Sequence, residues 1–438
     1  MTAHSVKNKH QIVIYLQVRQ PRRLRIFQYL DTGGHKGYFD EELNEMVVKR
    51  VSQDCYIPVN EMLLKLIFAN PEVRICLSIT GETIDLLEKY SPEALESFIR
   101  LASTGAVEFF GETYYHSLSS SLGAEEFQAQ SVLHSESIYR HFGLRPTVFR
   151  NTELIYSDDI GSLVAGMGFK GVICEGAAKV VDGKDPDQVY KHPDVDLSIL
   201  ARNVSLSDQI SLRFGAGNTA LTVDKFILSL DEIYVENAVT LYGFNYEIFA
   251  DHLNRDAGMV EFFGAMLSAL AHNSKYKLRT ASEVFASASS RPILSMPKIT
   301  SWSDGNKNMV NFLGNDMQQE AFGVLSAQTE KIYQVADETV LGAWRSLQSS
   351  DHFYYMATGK LKTGHYPDLY TPYPSPYEAF INYMNAVNVF SLNLQTSPVK
   401  EPDDEHAKAL ECERQHPRIP MWAMQKEYHQ GKAPELNV

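Results

Sequence analysis

One acidic residue follows a short apolar run closely enough to lie at the end of a buried strand. Residues 147–150 are predicted to form that strand, Glu153 comes directly after it, and Ser157 has the position of a helix N-cap. In a barrel of parallel strands, catalytic side chains are found at the carboxyl ends of the strands. Glu153 is therefore the first candidate for a catalytic group.

Polar residues also follow other predicted strands, and a second carboxylate is needed if Glu153 acts on a glycosidic bond. Such hydrolysis uses two carboxylic groups, one as nucleophile or base and one as proton donor. The candidates are Arg19 and Gln20 after the first strand, Glu108, Glu112, Tyr115 and His116 on and after the third, and Asn245, Glu247, Asp251 and His252 after the seventh. These side chains are predicted to converge on one face of the sheet.

The elements that would position these residues are seven short apolar runs with helical patterns between them. The predicted strands are 12–18, 74–79, 106–110, 147–150, 171–175, 197–202 and 238–244. Strands that alternate with amphipathic helices predict an α/β fold with a parallel sheet. No glycine-rich phosphate loop follows the first strand, which favours a closed barrel over an open sheet.

The pattern changes near residue 296, where predicted strands end and helical spacing takes over. Residues 318–347 carry an apolar stripe that predicts one packing helix, and a capping box at Ser375 with proline at the next position predicts another that runs to about Phe390. We predict a barrel over residues 1–295, a C-terminal helical bundle over 296–397 and a poorly ordered or surface-wrapping tail over 398–438.

Composition and charge exclude several classes of protein. The net charge of −14 over 438 residues argues against nucleic-acid binding, which needs clustered basic residues. No apolar stretch approaches the roughly 20 residues that span a bilayer, and the N-terminal apolar run is too short for a signal peptide, so we predict a cytoplasmic protein without a membrane partner. The sequence does not indicate an oligomeric state.

The reactive side chains fit neither a metal site nor a serine hydrolase. No His, Cys or Asp cluster has the spacing of a zinc or calcium site, so we predict no metal and no cofactor. Gly-x-Ser-x-Gly is absent. The four cysteines, Cys55, Cys76, Cys174 and Cys412, are far apart and are predicted to be reduced and structural.

Taken in order, the polar segments resemble the conserved regions of glycoside hydrolase family 57, and in particular those of its α-amylase branch. The family's His-Gln-Pro is matched by Arg19-Gln20-Pro21, and its Val-Glu with a later histidine is matched by Val107-Glu108 and His116. Its nucleophile region is matched by residues 149–153, and its acid/base region is matched by residues 244–252. Its Thr-Pro-Ser-Glu is matched by residues 280–283. Further matches are 301–304, which contains Trp302, 313–318 and 344–352, so the resemblance covers roughly residues 10–395.

The resemblance implies a (β/α)7 barrel followed by helices, and an enzyme that cleaves or transfers α-glucan linkages with retention and without a metal. It implies Glu153 as the nucleophile and an α-glucan or oligosaccharide as the partner. The acid/base aspartate of the family is matched by Asn245. An amide cannot deliver a proton to a leaving alkoxide. General acid catalysis contributes roughly 10²- to 10⁴-fold, so the resemblance implies an impaired hydrolase.

A second departure from the family is arginine in place of the first histidine. Arg19 is a permanent cation where a titratable ring would contact sugar hydroxyls. Two interpretations are open: Arg19 pairs with Glu108 or Glu153 and holds that carboxylate ionised, or it binds an anionic group of an unusual ligand. The second would make the protein an enzyme with altered chemistry.

Several matched residues have both a functional and a structural interpretation. Glu247 is two residues after Asn245, so its side chain can point to the same face of the strand and could replace the lost acid. Alternatively, it keeps the positioning role that it has in the family motif. His116 and His252 are each an acid, a ligand or a structural hydrogen-bonding group. Trp302 and Tyr115 are sugar-stacking surfaces or packing residues. The alternative to an impaired enzyme is a non-catalytic glycan-binding or regulatory protein of cytoplasmic glucan metabolism.

Overall fold

Seven parallel strands form the central sheet, and they are the seven that the sequence predicts. The computed structural model describes residues 9–27, 37–211, 214, 221–250, 256, 258–303, 306–335, 337–358 and 371–398. The strands are β1 (His10–Val18), β2 (Ile75–Ile79), β3 (Val107–Phe109), β4 (Val148–Arg150), β5 (Gly171–Glu175), β6 (Val189–Lys191), β7 (Ser198–Arg202), β8 (Val239–Asn245) and β9 (Tyr276–Leu278). Their order across the sheet is β3-β2-β1-β8-β7-β5-β4.

The two short strands outside this order extend the sheet locally. β6 pairs antiparallel with β7, and β9 pairs parallel with the first residues of β1, from His10 to Ile12. β1 is central because it pairs along most of its length with β8, from Gln11 opposite Val239 to Gln17 opposite Asn245. The carboxyl ends of β1 and β8 are therefore aligned.

The two edge strands of the sheet meet, which is in line with the predicted (β/α)7 barrel. Gly111, just after β3, forms a parallel bridge with Phe149 of β4. The Gly111 amide donates to the Val148 carbonyl at 2.9 Å, and the Arg150 amide donates to the Gly111 carbonyl at 2.7 Å. We call this junction the β3–β4 seam.

The side chains on one face of the strands form two levels, an apolar level and a polar level. One side of the strands contributes an apolar cluster that includes Val13, Tyr15, Cys76, Phe110, Val148, Ile173, Leu200 and Leu241. Two residues further along β1, β4, β5 and β7, and just beyond the end of β3, the same face carries five fully buried residues: Gln17, Arg150, Glu175, Arg202 and Glu112. We call these five residues the polar layer. It lies at the carboxyl ends of the strands, where the sequence predicts the site.

Helices connect the strands and follow the last of them. They are α1 (Glu41–Val51), α2 (Ile57–Ala69), α3 (Gly81–Tyr90), α4 (Pro92–Ser103), α5 (Ser119–Leu122), α6 (Ala124–Phe142), α7 (Asp158–Gly166), α8 (Val204–Ser211), α9 (Val223–Glu232), α10 (Met259–His272), α11 (Ala281–Ser287), α12 (Val310–Leu313), α13 (Asp316–Ser326), α14 (Thr329–Tyr333), α15 (Glu338–Leu347), α16 (Ser350–Tyr354) and α17 (Pro376–Thr396). A π-helical turn, Ser52–Tyr56, joins α1 to α2.

The helical region after residue 296 differs from its prediction in one respect. The single helix predicted over 318–347 is wrong, because α13, α14 and α15 divide this segment. The side chain of Asp337 accepts from the amides of Thr339 and Val340 and so starts a new helix, while the apolar stripe continues across the break. α17 starts at the predicted cap, where Ser375 accepts from the Glu378 amide, and extends to Thr396.

The C-terminal helices share one apolar core with the strands. Phe322, Trp344 and Tyr383 belong to the same buried cluster as Phe149 of β4 and Ile199 of β7. A separate helical bundle and the domain boundaries at 295 and 397 stay predictions. The predicted tail lies, apart from residue 398, outside the described residues. Among the described helices, none has the length and apolar content to cross a membrane. Cys55, Cys76 and Cys174 are buried free thiols, and Cys412 lies outside the described residues.

We expect Gly176→Ala to destabilise the protein, because a Cβ atom there would lie 2.2 Å from the carbonyl oxygen of Arg202. Overpacking against fixed backbone costs about 1–3 kcal/mol. Gly323→Ala is the matched control, since no heavy atom lies within 4 Å of its Cβ position in α13. Alanine there is expected to stabilise the helix by about 0.5–1 kcal/mol. Denaturant unfolding of both variants tests this, and shifts of the same sign would contradict it.

Candidate active site

Glu153 lies in a tight turn directly after β4, in a backbone conformation that side chains rarely adopt. Its φ is 55° and that of Leu154 is 50°. Left-handed conformations cost non-glycine residues roughly 1–2 kcal/mol each. The turn is held by its surroundings: the Glu153 carbonyl accepts from the Trp302 amide at 3.1 Å and from Ser301 Oγ at 2.9 Å. The strained turn aims a carboxylate at the polar layer.

The Glu153 carboxylate is fully buried and is held by donors from two other chain segments. His116 Nε2 lies 2.8 Å from Oε1, and Trp302 Nε1 donates to Oε2 at 2.7 Å. Arg19 Nη2 is 3.9 Å from Oε1. The structure therefore brings together four residues that the sequence singles out.

These contacts make Glu153 an anion. Burial by itself would raise its pKa, but the hydrogen bond to His116 and the positive charges of Arg19 and Arg150 outweigh burial and hold the pKa well below the usual carboxyl range. An ionised, desolvated carboxylate at a strand end can act as a nucleophile or stabilise a developing positive charge.

Arg19 pairs with a carboxylate that the sequence prediction did not include among the site residues. Its Nη1 forms an ion pair with Asp351, at the start of α16, and its backbone amide donates to Glu247 Oε1 at 3.1 Å. Of the two partners predicted for Arg19, Glu153 lies within ion-pair distance, whereas Glu108 contacts Ser282 instead. Asp351 lies in a matched segment of the sequence, but 332 residues separate it from Arg19, so only the fold could reveal the pair.

Asn245 and Glu247 lie on the strand that pairs with β1. Asn245 ends β8 opposite Gln17 and is half-buried. Glu247, in the turn that follows, accepts from Tyr56 Oη at 2.6 Å as well as from the Arg19 amide. Burial raises the pKa of Glu247, partly offset by these two hydrogen bonds. The position matched to the acid/base group thus carries an amide, and a carboxylate lies two residues further on.

Other predicted site residues lie away from Glu153 or outside the described residues. Glu108 Oε2 accepts from the Ser282 amide at 3.1 Å, near the amino end of the strands. Gln20 is buried and donates to Tyr56 Oη at 3.2 Å. The Tyr115 ring lies 4.8 Å from that of Tyr114. Asp251 and His252 lie outside the described residues, as does Asp304.

The sequence prediction missed most of the polar layer as part of the site. Gln17 Nε2 lies 3.2 Å from His116 Nδ1, and Arg150 donates to Gln17 Oε1. Glu112 Oε2 is 3.5 Å from His116 Nδ1 and 3.8 Å from Arg150 Nη1. Glu112 was already a candidate, and alternation from the apolar residues Tyr15 and Val148 would have found Gln17 and Arg150, since each lies two positions further along its strand.

Trp302 connects the two sides of the polar layer. The guanidinium carbons of Arg150 and Arg202 each lie 5.5 Å from the centre of its ring, within the range of cation–π attraction. Arg202 is 3.6 Å from Glu175, which also pairs with Lys307 at 3.0 Å. Trp302 is therefore a buried hydrogen-bond donor. Its ring, which the sequence predicts as a surface for sugar stacking, faces the guanidinium groups of Arg150 and Arg202. Among the described residues, no group of three His, Cys, Asp or Glu side chains is arranged to hold a metal ion.

A buried carboxyl group lies at the start of α3. Glu82 is almost completely buried, and its Oε2 accepts from the Arg22 amide at 3.4 Å. Burial, partly offset by the charge of Arg22, raises the pKa of Glu82 from 4.5 to about 7. The folded protein therefore keeps this proton at a pH where the unfolded chain has lost it.

We expect Glu82→Gln to gain stability relative to the wild type as the pH rises from about 5 to about 8. The wild type loses stability between the unfolded and folded pKa values of Glu82, by about 1.4 kcal/mol per pKa unit, whereas glutamine has no proton to lose. Urea unfolding at both pH values measures the difference. Glu88→Gln, exposed on the same helix, is the control. A Glu82→Gln difference that does not grow with pH would contradict the assignment.

Comparison with known proteins identifies the family. The family model described as Glycosyl hydrolase family 57 matches residues 13–297. A Methanocaldococcus jannaschii protein named "Putative alpha-amylase" is 30% identical over 421 residues, which cover 92% of this chain and 89% of that protein.

Two solved structures have the same fold at low sequence identity. A branching enzyme of this family from Thermococcus kodakaraensis has a TM-score of 0.66 at 13% identity, over 88% of this chain and 90% of that one. The 4-alpha-glucanotransferase from Thermococcus litoralis has a TM-score of 0.62 at 14% identity, over 86% of this chain. This chain spans 60% of that enzyme. Because the family model covers more than half of the sequence, the chain belongs to glycosyl hydrolase family 57.

Proposed function

We propose that this protein is an α-amylase-like member of its family that binds α-glucans and forms a covalent glycosyl intermediate on Glu153, with impaired hydrolysis or transfer of unactivated glucans. The observation that carries the proposal is the Glu153 carboxylate, buried and hydrogen-bonded to His116 and Trp302 at the end of β4. The names of the related proteins, an alpha-amylase, a branching enzyme and a glucanotransferase, support an α-glucan as the substrate class.

The impairment follows from the chemistry of residue 245. A retaining mechanism needs a proton donor for the departing glycosidic oxygen, and an Asn245 amide cannot supply one. Glu247 is the nearest carboxylate along the chain, but its Oε1 already accepts from Tyr56 and from the Arg19 amide. We therefore assign Glu247 to positioning Arg19. Substrates whose leaving group needs no proton should react best.

The charges around Glu153 support a neutral ligand over an anionic one. Arg19 lies 3.9 Å from the Glu153 carboxylate, and its guanidinium is already paired with Asp351. Among the described residues that contact this network, four carboxylates, those of Glu112, Glu153, Glu247 and Asp351, face the two arginines Arg19 and Arg150. An anionic sugar would have to displace Asp351 from Arg19, at the cost of leaving a buried carboxylate without its cation.

We expect Asn245→Asp to raise the hydrolysis of maltooligosaccharides by about 10²- to 10⁴-fold, the usual contribution of general acid catalysis. The gain on an aryl α-glucoside with a strongly acidic phenol should be much smaller, because that leaving group departs unprotonated. Both rates are measured by product release, with the wild type as reference. No gain on maltooligosaccharides would indicate that Arg19 or other changes have remodelled the cleft.

We further expect an activated 5-fluoro-α-glucosyl fluoride to label the wild type at Glu153, as located by mass spectrometry of peptides. Glu153→Gln should abolish both the label and the release of phenol from the aryl glucoside, because the amide is not a nucleophile. Brisk cleavage of maltooligosaccharides by the wild type, unchanged in Glu153→Gln, would refute the proposed function.

A second candidate is a non-catalytic glycan-binding or regulatory protein. It is favoured by Asn245 together with the ion pair between Arg19 and Asp351, which fixes a side chain beside the nucleophile. Calorimetric titration with maltoheptaose separates the candidates: saturable binding by both the wild type and Glu153→Gln, without labelling of Glu153, would support this alternative and exclude the first.

A further inference from the structure

Gln17 connects a permanent cation to the histidine that contacts Glu153. Arg150 Nη2 donates to Gln17 Oε1, Gln17 Nε2 lies 3.2 Å from His116 Nδ1, and His116 Nε2 lies 2.8 Å from Glu153 Oε1. All four side chains are buried, with Gln17, Arg150 and Glu153 fully inaccessible. The four groups form one chain of hydrogen bonds from a cation to the candidate nucleophile.

The direction of each bond follows from the first. A guanidinium has five N–H donors and no acceptor, so the Gln17 atom that faces Arg150 must be the amide oxygen. The Gln17 NH₂ group then faces His116, and a donor opposite Nδ1 requires that this ring nitrogen carry no proton. A neutral imidazole has one N–H, which must be on Nε2 and must donate to Glu153.

We propose that Gln17 is a positioning residue, which fixes His116 as the neutral tautomer with its proton on Nε2 and so holds the Glu153 carboxylate as a hydrogen-bond acceptor. The opposite tautomer would place the lone pair of Nε2 against a carboxylate oxygen 2.8 Å away. A role in glycosyl transfer rests on the proposed function, but the tautomer does not.

The competing interaction at His116 is with Glu112. Glu112 Oε2 is 3.5 Å from His116 Nδ1, which would favour a proton on that nitrogen. Three observations weigh against it: the Gln17 contact is shorter at 3.2 Å, Arg150 Nη1 lies 3.4 Å from the same nitrogen, and Arg150 is within 3.8 Å of Glu112. Two donors therefore face Nδ1, and the cation compensates the charge of Glu112. On the other side of the ring, Nε2 faces the negative charge of Glu153, and Glu153 is in turn 3.9 Å from the Arg19 guanidinium.

The test is the protonation pattern of the His116 ring by nitrogen NMR. The full chain is labelled with ¹⁵N-histidine, and long-range ¹H–¹⁵N correlations are recorded between about pH 6 and pH 8. His116→Gln identifies the His116 signals among the 14 histidines by their loss. We expect an unprotonated Nδ1 and a protonated Nε2 across this range in the wild type. A protonated Nδ1, alone or together with Nε2, would overturn the proposal without any further variant.

The variant that isolates Gln17 is Gln17→Glu. A carboxylate offers His116 an acceptor in place of a donor, so Nδ1 should become protonated and its signal should move to the position of an N–H nitrogen. Gln319→Glu adds the same charge at an exposed position of α13 and should leave the His116 signals unchanged. An unchanged Nδ1 in a folded Gln17→Glu protein would mean that Gln17 does not set the tautomer.

The NMR spectra do not depend on catalytic turnover. The tautomer assignment and the proposed function can therefore be refuted independently of each other. Absence of a covalent label on Glu153 would refute the proposed chemistry and leave the tautomer assignment intact. If labelling does occur, Gln17→Glu should lower its rate at least tenfold and change its pH profile, because Glu153 would then face an imidazolium. A loss of packing alone would lower the thermal midpoint and leave the pH profile as it is.

Discussion

The buried negative charge of Glu153 is the constraint on which the rest of the site depends. An unpaired carboxylate in a dry interior costs several kcal/mol, so it persists only where hydrogen bonds and cations surround it. The groups that meet this need come from distant parts of the chain: Arg19 after β1, His116 after β3, Trp302 after α11, and, through Arg19, Asp351 on α16. The Glu153 carboxylate and its partners thus connect the carboxyl ends of the strands to the C-terminal helices.

The polar layer continues this arrangement beneath the site. Its residues come from the same strand faces as the apolar cluster below it, so the interior changes from apolar to polar within two residues at these five strand ends. Arg150 contacts Gln17, approaches Glu112 and lies over the Trp302 ring. Changes to one member of the layer are therefore expected to reach Glu153 through its neighbours, and paired substitutions should not be additive.

The sequence was sufficient for the seven strands and for the position of Glu153 directly after β4, because short apolar runs and a carboxylate that follows one of them are local signals. Asp351 could not be assigned to Arg19, since the contact depends on how the C-terminal helices pack on the sheet. Glu108 shows the opposite limit: it matches a motif, yet its side chain meets Ser282 near the other end of the strands. The division of 318–347 into three helices was hidden because the apolar stripe continues through the caps that end and restart them.

The β3–β4 seam is one of the junctions at which few backbone pairings close the sheet, as is the single β7–β8 pairing of Arg202 with Leu241. Two backbone hydrogen bonds at Gly111 join strands that are three residues long, whereas β1 and β8 are paired over seven positions. Local opening follows sparse contacts, so amide hydrogen exchange along this seam should be faster than between β1 and β8. Glu112 and His116 lie on one side of it, and Arg150 and Glu153 on the other. Breathing of the barrel would therefore separate the two halves of the site while both remain attached to stable strands.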